Sequence, residues 1–217
     1  MDKGGVIELR RNTHSIVMRQ LALDLAPPPA PTLANFAPGA NARALAAVRE
    51  LVDGGGRAVL YLWGAPGSGR SHLLRAAATE RPDLLTLDDV QRLSPPAQIA
   101  AFDSFNTHAR VLAAGDAPPA RLAVRDDLRT RLGSGVVIEL VPLADEDKLA
   151  ALRAHAAERG ITIASEVLEY LFRHLRRDMG TQMAMLDALD RYSLATQRAL
   201  TVPLAKLALE DLERGPA

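Results

Sequence analysis

The chain has 217 residues, 48% of them hydrophobic, which is enough to build a substantial core. Its 26 basic and 26 acidic residues cancel, which removes any whole-protein attraction to nucleic acid or to a membrane surface. Cysteine is absent, which excludes disulfides and thiolate metal sites, and no apolar run approaches the roughly 20 residues of a membrane span. This composition favours a cytoplasmic protein.

The first 31 residues read as a tail rather than as part of a folded domain. Residues 1–17 are polar and aperiodic and are expected to be disordered, and Met18 is a candidate alternative start. A leucine-rich peptide follows, ahead of a proline-rich linker that holds it away from the body. Two interpretations of this peptide stay open: it binds an apolar pocket on a partner protein, or it forms a short strand that packs on its own domain. The side chains concerned are Gln20, Leu21, Leu23 and Leu25.

The folded part is predicted to begin with a helix and a buried strand. Asn41 is a plausible N-cap for a helix that runs to Val52 and places Leu45, Val48, Leu51 and Val52 on one face. The apolar run 58–63 then predicts a buried strand.

A glycine-rich segment, Gly64–Ser71, joins that strand to a predicted helix that starts near His72. Strand, glycine-rich turn and helix are the context of a phosphate-binding loop, in which backbone N–H groups and the helix N-terminus face the anion. Ser71 would present its hydroxyl to Mg²⁺. The alternative is a glycine-rich turn without a ligand. The predicted nucleotide-binding residues here are Gly64, Gly67, Ser68, Gly69, Arg70, Ser71 and His72.

One position departs from the phosphate-loop pattern G-x-x-x-x-G-K-[ST], because Arg70 stands where lysine is expected. Arginine keeps the positive charge, but its planar fork differs from the compact ammonium of lysine. The loop therefore predicts nucleotide binding more strongly than it predicts hydrolysis.

An apolar strand over 84–87 ends in Asp88 and Asp89, which resembles a Walker B element. Asp88 would hold Mg²⁺ through water, and Asp89 would orient the attacking water. Many strands end in aspartate, so this assignment depends on the phosphate loop. Only 16 residues, His72 to Leu87, separate Ser71 from Asp88.

Further along, a helix is predicted over 95–108, with Ile99, Phe102 and Phe105 as core residues. A strand from Val111 carries Asp116 at its tip, where ligands bind in parallel sheets; the alternative is a turn aspartate before two prolines. A charged helix over 126–132, which includes Arg131, precedes a strand over 136–140.

From Pro142 onward the chain is predicted to be helical, in the manner of a small lid domain. A first helix runs from Asp145 to Arg159 and stops at Gly160. Ser165 is predicted to cap the second helix, whose apolar face extends to Leu175. Met183, Leu186 and Leu189 mark the third, and Thr201 caps a fourth with Pro203 in its first turn. The predicted domains are therefore the tail 1–31, an α/β subdomain 32–141 and a helical lid 142–217.

The order of these parts resembles the AAA+ ATPases, and within them the DnaA-related replication initiators and their regulatory inactivators. The resemblance covers roughly residue 18 to the end. It rests on the phosphate loop, the acid pair, the helix end Phe105-Asn106 and four further segments: 115–119, 127–132, 142–148 and 186–191. The expected fold is an α/β AAA+ core with a helical lid. AAA+ domains normally fit another strand and helix between Ser71 and Asp88, so about four strands are expected here.

The resemblance also implies roles for residues and partners. It places sensor I on Asp116, sensor II on Arg177 and, on Arg131, an arginine finger that acts in trans on ATP held by DnaA. Gln20–Leu25 would be the clamp-binding peptide, which docks on the sliding clamp, the beta subunit of DNA polymerase III. ADP or ATP with Mg²⁺ is the implied ligand, and self-association is possible. Sequence-specific DNA binding is not expected.

The sequence is compatible with three functions. The leading one is a regulatory adaptor of replication initiation with little ATPase activity of its own. The second is an autonomous AAA+ ATPase of the helicase-loader type, which would hydrolyse ATP alone and depend on Asp89. The third is a scaffold with a vestigial phosphate loop.

Overall fold

The computed structural model describes residues 30–174 and 179–207. Four strands lie in the described part: β1 Val59–Gly64, β2 Leu85–Leu87, β3 Val111–Gly115 and β4 Val136–Leu140. The helices are α1 Ala42–Val52, α2 Arg70–Glu80, α3 Pro95–Thr107, α4 Asp126–Gly133, α5 Asp145–Glu158, α6 Ser165–His174 and α7 Met179–Thr196, and residues 202–207 are also helical. None of these described helices is both long and apolar enough to span a bilayer.

The four strands form one parallel sheet in the order β2-β3-β1-β4. The prediction of about four strands is confirmed, because α2 leads through a short turn at Arg81–Leu84 directly into β2. The carboxyl ends of β1, β2 and β3 therefore meet at one edge of the sheet. In parallel sheets this edge is where ligands bind.

Helices cover both faces of the sheet, which explains why β1 and β3 are continuous apolar runs. Alternate residues of β1 point to opposite faces. Leu60 and Leu62 join the cluster formed with α1 and α2, while Tyr61 joins the cluster formed with α3 and α4. The α/β fold is thus a three-layer arrangement with the sheet in the middle.

The helices α5, α6 and α7 have a separate apolar core, which includes Leu152, Leu171, Met185 and Leu189. A buried polar contact supplements it: Asp187 lies 2.8 Å from His155 Nε2 and 3.1 Å from Arg159 Nε. The turn after α5 has Gly160 with φ +68°, as predicted for the end of that helix. These helices form the lid.

Three local predictions need correction. Asn41 precedes α1, but its side chain caps nothing and instead pairs with the backbone of Val141. Ile99 is 45% exposed rather than a core residue. Ser165 is the first residue of α6 rather than its cap, because the helix starts one residue early. Predictions that fall on residues 1–29, on Leu175 and on Arg177 lie outside the described residues.

The pairing of Asn41 with Val141 generates a stability prediction. The Asn41 amide donates to the Val141 carbonyl and accepts from the Val141 N–H, both at 2.8 Å, and the residue is buried. Asn41→Ala should lower the free energy of unfolding by about 1–3 kcal/mol, because both backbone groups lose their partner. Urea unfolding measures this. Arg43→Ala on the exposed face of α1 is the control, and equal effects of the two variants would contradict the prediction.

Candidate functional site

The loop between β1 and α2 is shaped by positions that exclude a side chain. A Cβ on Gly64 would lie 2.2 Å from the Leu140 carbonyl oxygen. Gly69 has φ +96°, and a Cβ there would lie 2.7 Å from the Phe36 ring. The sequence therefore folds into a tight turn directly ahead of the α2 N-terminus, as a phosphate-binding loop requires.

Two polar atoms in this loop are buried without a hydrogen-bond partner among the described residues: Ser68 Oγ and Arg70 Nη1. Ser68 is 4% exposed and the Arg70 side chain 11% exposed. Unpaired buried donors are costly, since each loses its contacts with water. Their presence fits an anionic ligand that would supply the missing acceptors.

A cavity of about 540 Å³ opens in front of the loop. Its size suits a small-molecule ligand. The described residues of its wall carry positive charge and include no acidic side chain. Three parts of the chain line it: Pro31, Asn35, Phe36 and Ala37 before α1; Gly67 to His72 and Arg75 at the loop and α2; and Leu143, Lys148, Met179, Gly180 and Met183 of the lid.

The segment before α1 is fixed to the loop through His72. The His72 Nε2–H donates to the Thr32 carbonyl at 3.0 Å, and the His72 and Phe36 rings lie 5.4 Å apart. Burial lowers the pKa of His72, the hydrogen bond to Thr32 opposes this change, and nearby Arg75 adds to it. His72 therefore acts here as a structural contact between two walls of the cavity.

Asp88 and Asp89 follow β2 and differ in their surroundings. Asp88 is exposed and accepts a hydrogen bond from the Asp89 N–H at 2.9 Å. Asp89 is half-buried and has a left-handed backbone, with φ 45°. Its Oδ1 lies 3.4 Å from Arg70 Nη2 and accepts from Gln91 Nε2 at 3.1 Å. The structure thus joins the arginine of the loop to the second acid.

Asp116 is exposed at the end of β3, beside the loop. The next residue is held in place by Tyr61, whose hydroxyl donates to the Ala117 carbonyl at 2.8 Å. Burial and the negative charge of Asp116 raise the pKa of Tyr61, while the positive charge of Arg70 opposes the rise. Asp116, which follows β3, and Arg70, at the start of α2, therefore both lie near the buried Tyr61 hydroxyl.

Arg131 lies outside this cavity, exposed near the end of α4. Its Nη2 donates to Asn106 Oδ1 at 3.1 Å, and its guanidinium lies 5.7 Å from the centre of the Phe102 ring. Both contacts come from α3. Arg131 is therefore separate from the predicted nucleotide-binding residues of its own chain.

The sequence did not indicate every residue of the cavity wall. Phe36 and Met183 have no motif of their own, and only the fold brings them to the loop. Conversely, Arg177 and the peptide residues Gln20, Leu21, Leu23 and Leu25 lie outside the described residues.

For Mg²⁺, the structure offers few protein ligands. Ser71 lines the cavity and Asp88 does not. Among the described residues, no group of three or more His, Asp or Glu side chains could hold a metal ion. The assignment of Ser71 and Asp88 as Mg²⁺ ligands therefore stays a prediction, and such an ion would neutralise phosphate charge.

Comparison with known proteins agrees with this geometry. Residues 145–209 match the family model described as the Hda lid domain. The fold is similar to domain III of Thermotoga maritima DnaA, with TM-score 0.68 and 22% identity over 86% of this chain and 98% of that one. It is also similar to a structure of DnaA bound to AMPPCP and single-stranded DNA, with TM-score 0.61 and 25% identity over 78% of this chain and 68% of that one. A structure of Thermotoga maritima RuvB matches with TM-score 0.62 and 14% identity over 87% of this chain and 74% of that one.

A parallel sheet with a glycine-rich loop after its central strand and a helical lid over that loop defines a AAA+ protein. The chain thus has the α/β AAA+ fold, which is similar to that of DnaA, and residues 145–209 match the lid domain of Hda.

The burial of His72 predicts a pH dependence of stability. The pKa of His72 is lower in the folded state than its value of about 6.5 in the unfolded chain. Near and below that value the unfolded chain therefore binds more protons than the folded protein. The free energy of unfolding should therefore fall as the pH drops from about 7 to about 5. This slope should be shallower in His72→Gln. Denaturant unfolding at several pH values measures it, with exposed His108→Gln as the control; identical slopes in all three proteins would refute the prediction.

Proposed function

We propose that this protein regulates replication initiation by stimulating hydrolysis of ATP held by DnaA. It binds ADP or ATP in its own cavity and docks on the DNA-loaded sliding clamp through Gln20–Leu25. It then presents Arg131 to the nucleotide of DnaA. The Hda-type lid and the DnaA-like fold support DnaA as the partner.

The position of Arg131 is the observation that carries this proposal. An arginine finger must reach a phosphate on another protein, so it must be exposed and lie outside its own nucleotide site. Arg131 meets both requirements. Its contacts with Phe102 and Asn106 restrict a long side chain before it meets DnaA, which reduces the entropy lost on docking.

Nucleotide binding by this chain is supported by the charge and shape of the cavity. Arg70, Arg75 and Lys148 supply positive charge on its wall, and Ser68 Oγ and Arg70 Nη1 lack acceptors within the described structure. Phe36, Met179 and Met183 supply apolar surface for a base. A nucleoside diphosphate or triphosphate matches this division between a charged and an apolar part.

The arginine finger assignment is tested by Arg131→Ala in single-turnover hydrolysis of ATP prebound to DnaA, with clamp-loaded DNA present. The stimulated rate should fall by about 10³-fold or to the rate of DnaA alone, because a finger stabilises charge in the transition state. Arg131→Lys should not restore it, since lysine lacks the planar fork.

The matched control is Arg57→Ala, which removes another exposed arginine that lies outside the cavity, two residues before β1. It should stimulate like the wild type. Normal stimulation by Arg131→Ala would refute the finger assignment. Wild-type protein that never stimulates DnaA would refute the proposed function itself.

The clamp peptide generates a separate prediction. Replacement of Gln20 and Leu21 by alanine should abolish binding to the clamp, because the glutamine amide and a leucine anchor are lost together. Nucleotide binding should be unchanged. Surface plasmon resonance on immobilised clamp measures clamp binding, and a variant with alanine at Arg10 and Arg11 is the control. Unchanged clamp binding would show that residues 20–25 serve another purpose.

A further inference from the structure

A second groove lies between the segment before α1 and the first lid helix. It has a volume of about 600 Å³, with residues 34–39 on one side and residues 147–159 on the other. It adjoins the nucleotide cavity, because Phe36, Leu143 and Met183 line both spaces. None of the described loop residues 67–71 lines the groove. The groove is therefore a separate space from the phosphate site.

The walls of this groove are largely apolar. Phe36, Leu143 and Met183 line it, and α5 contributes Ala150 and Ala154, whose short side chains leave space between the walls. Both alanines are exposed. An occupant with several apolar side chains on one side would cover this surface and remove it from water.

The leucine peptide Gln20–Leu25 has such an apolar side. In an extended chain Leu21, Leu23 and Leu25 point the same way, because successive side chains alternate. The peptide then spans about 20 Å. The α5 wall from residue 147 to residue 159 is about 18 Å long. The peptide therefore matches the groove in length and in its apolar pattern.

Charge complementarity gives the docked peptide a direction. Asp147 lies at one end of the α5 wall and Arg159 at the other. Arg19 and Asp24 are about 16 Å apart in an extended chain, which is close to the length of that wall. Docked in one direction, the peptide brings Arg19 to Asp147. The same docking brings Asp24 to Arg159, whose side chain is 52% exposed. Glu158 partly offsets Arg159 at that end, so the charges set the direction more than they add affinity.

The linker is long enough to bring the peptide to the groove. The described chain begins at Ala30, whose carbonyl accepts a hydrogen bond from Asn35 Nδ2 at 3.0 Å, and Asn35 lines the groove. Residues 26–29 allow the Cα atoms of Leu25 and Ala30 to lie up to about 18 Å apart. A tether this short gives an effective concentration on the order of millimolar, so a weak contact is enough to hold the peptide.

We propose that Gln20–Leu25 docks in this groove of its own chain when no partner binds it. The groove is then the resting position of the peptide, and docking covers leucines that would otherwise face water. The sliding clamp must withdraw the peptide before it can bind it, so the two contacts exclude each other. This last step rests on the proposed clamp contact, whereas docking in the groove does not.

Docking is tested by disulfide formation, because the chain has no cysteine of its own. The full chain with Leu23→Cys and Ala154→Cys has one thiol in the peptide and one in the groove, and cysteine keeps an apolar side chain at position 23. Under mild oxidation of dilute protein, the intramolecular disulfide should form about tenfold faster than in a control pair. The control combines Leu23→Cys with Arg153→Cys, at an exposed position of α5 that does not line the groove.

Several outcomes of this measurement would overturn the proposal. Equal rates in the two pairs would show that the peptide does not prefer the groove. A disulfide between two chains, seen as a dimer on a non-reducing gel, would place the peptide on a second copy. Leu21→Asp and Leu25→Asp, added to the groove pair, should remove its advantage, because charged side chains do not enter an apolar groove without a partner. An unchanged rate in that variant would also contradict docking through the leucines.

Competition with the clamp gives an independent measurement. Ala154→Arg fills the groove and should release the peptide. If the peptide is docked in about two-thirds to nine-tenths of the molecules, its release tightens clamp binding by about three- to tenfold. Surface plasmon resonance on immobilised clamp measures this change. Ala157→Arg, at another exposed alanine of α5 outside the groove, is the matched control. Equal affinities of wild type and both variants would refute the mutual exclusion.

These results separate the groove from the proposed function. Faster disulfide formation in the groove pair of a protein that never binds the clamp supports the groove and refutes only the clamp contact. A protein that binds the clamp and stimulates DnaA, but shows equal rates in both cysteine pairs, keeps the proposed function and refutes the docked state.

Discussion

The approach of Phe36 to Gly69 is the constraint on which the rest of the site depends. The aromatic ring occupies the space that a Cβ would need, so the loop must be glycine there and the segment before α1 must lie across it. Burial of a phenylalanine contributes about 1.5–3 kcal/mol, which favours this arrangement over an open loop. The hydrogen bond from His72 to Thr32 fixes the same segment from the α2 side. One wall of the cavity therefore forms together with the loop.

The short connection between α2 and β2 does not disturb this arrangement. β2 lies at one edge of the sheet, next to β3, and two strands, β3 and β1, separate it from β4. A strand lost beyond β2 leaves the central pair β1 and β3 with the same neighbours on both sides. The loop after β1, the acids after β2 and Asp116 after β3 still meet at one edge, because all strands run parallel. Removal of an edge strand is thus compatible with an intact phosphate loop.

The sequence predicted those features that depend on local patterns. The glycine spacing, the apolar strands and the interval between Ser71 and Asp88 correctly indicated the α/β core and its four strands. Features that depend on contacts between distant segments were not predictable. Asn41 looked like a helix cap, but residue 141 lies beside it in the fold and takes both of its hydrogen bonds. Ile99 fits a helical period, but α3 turns that position to solvent.

The same limit applies to the site. Each of Arg70 and Asp89 was assigned from its own motif, and neither motif shows that the two side chains touch. Their contact changes the chemical interpretation of both, because an acid that neutralises the loop arginine is not free to polarise water. Arg131 shows the opposite case: its partners Phe102 and Asn106 stabilise it without neutralising its charge. An arginine held by an aromatic ring and an amide keeps its full positive charge for a phosphate on another molecule. The two arginines therefore differ in their surroundings: Arg70 is paired with a carboxylate, whereas Arg131 has the unneutralised charge that the proposed finger role requires.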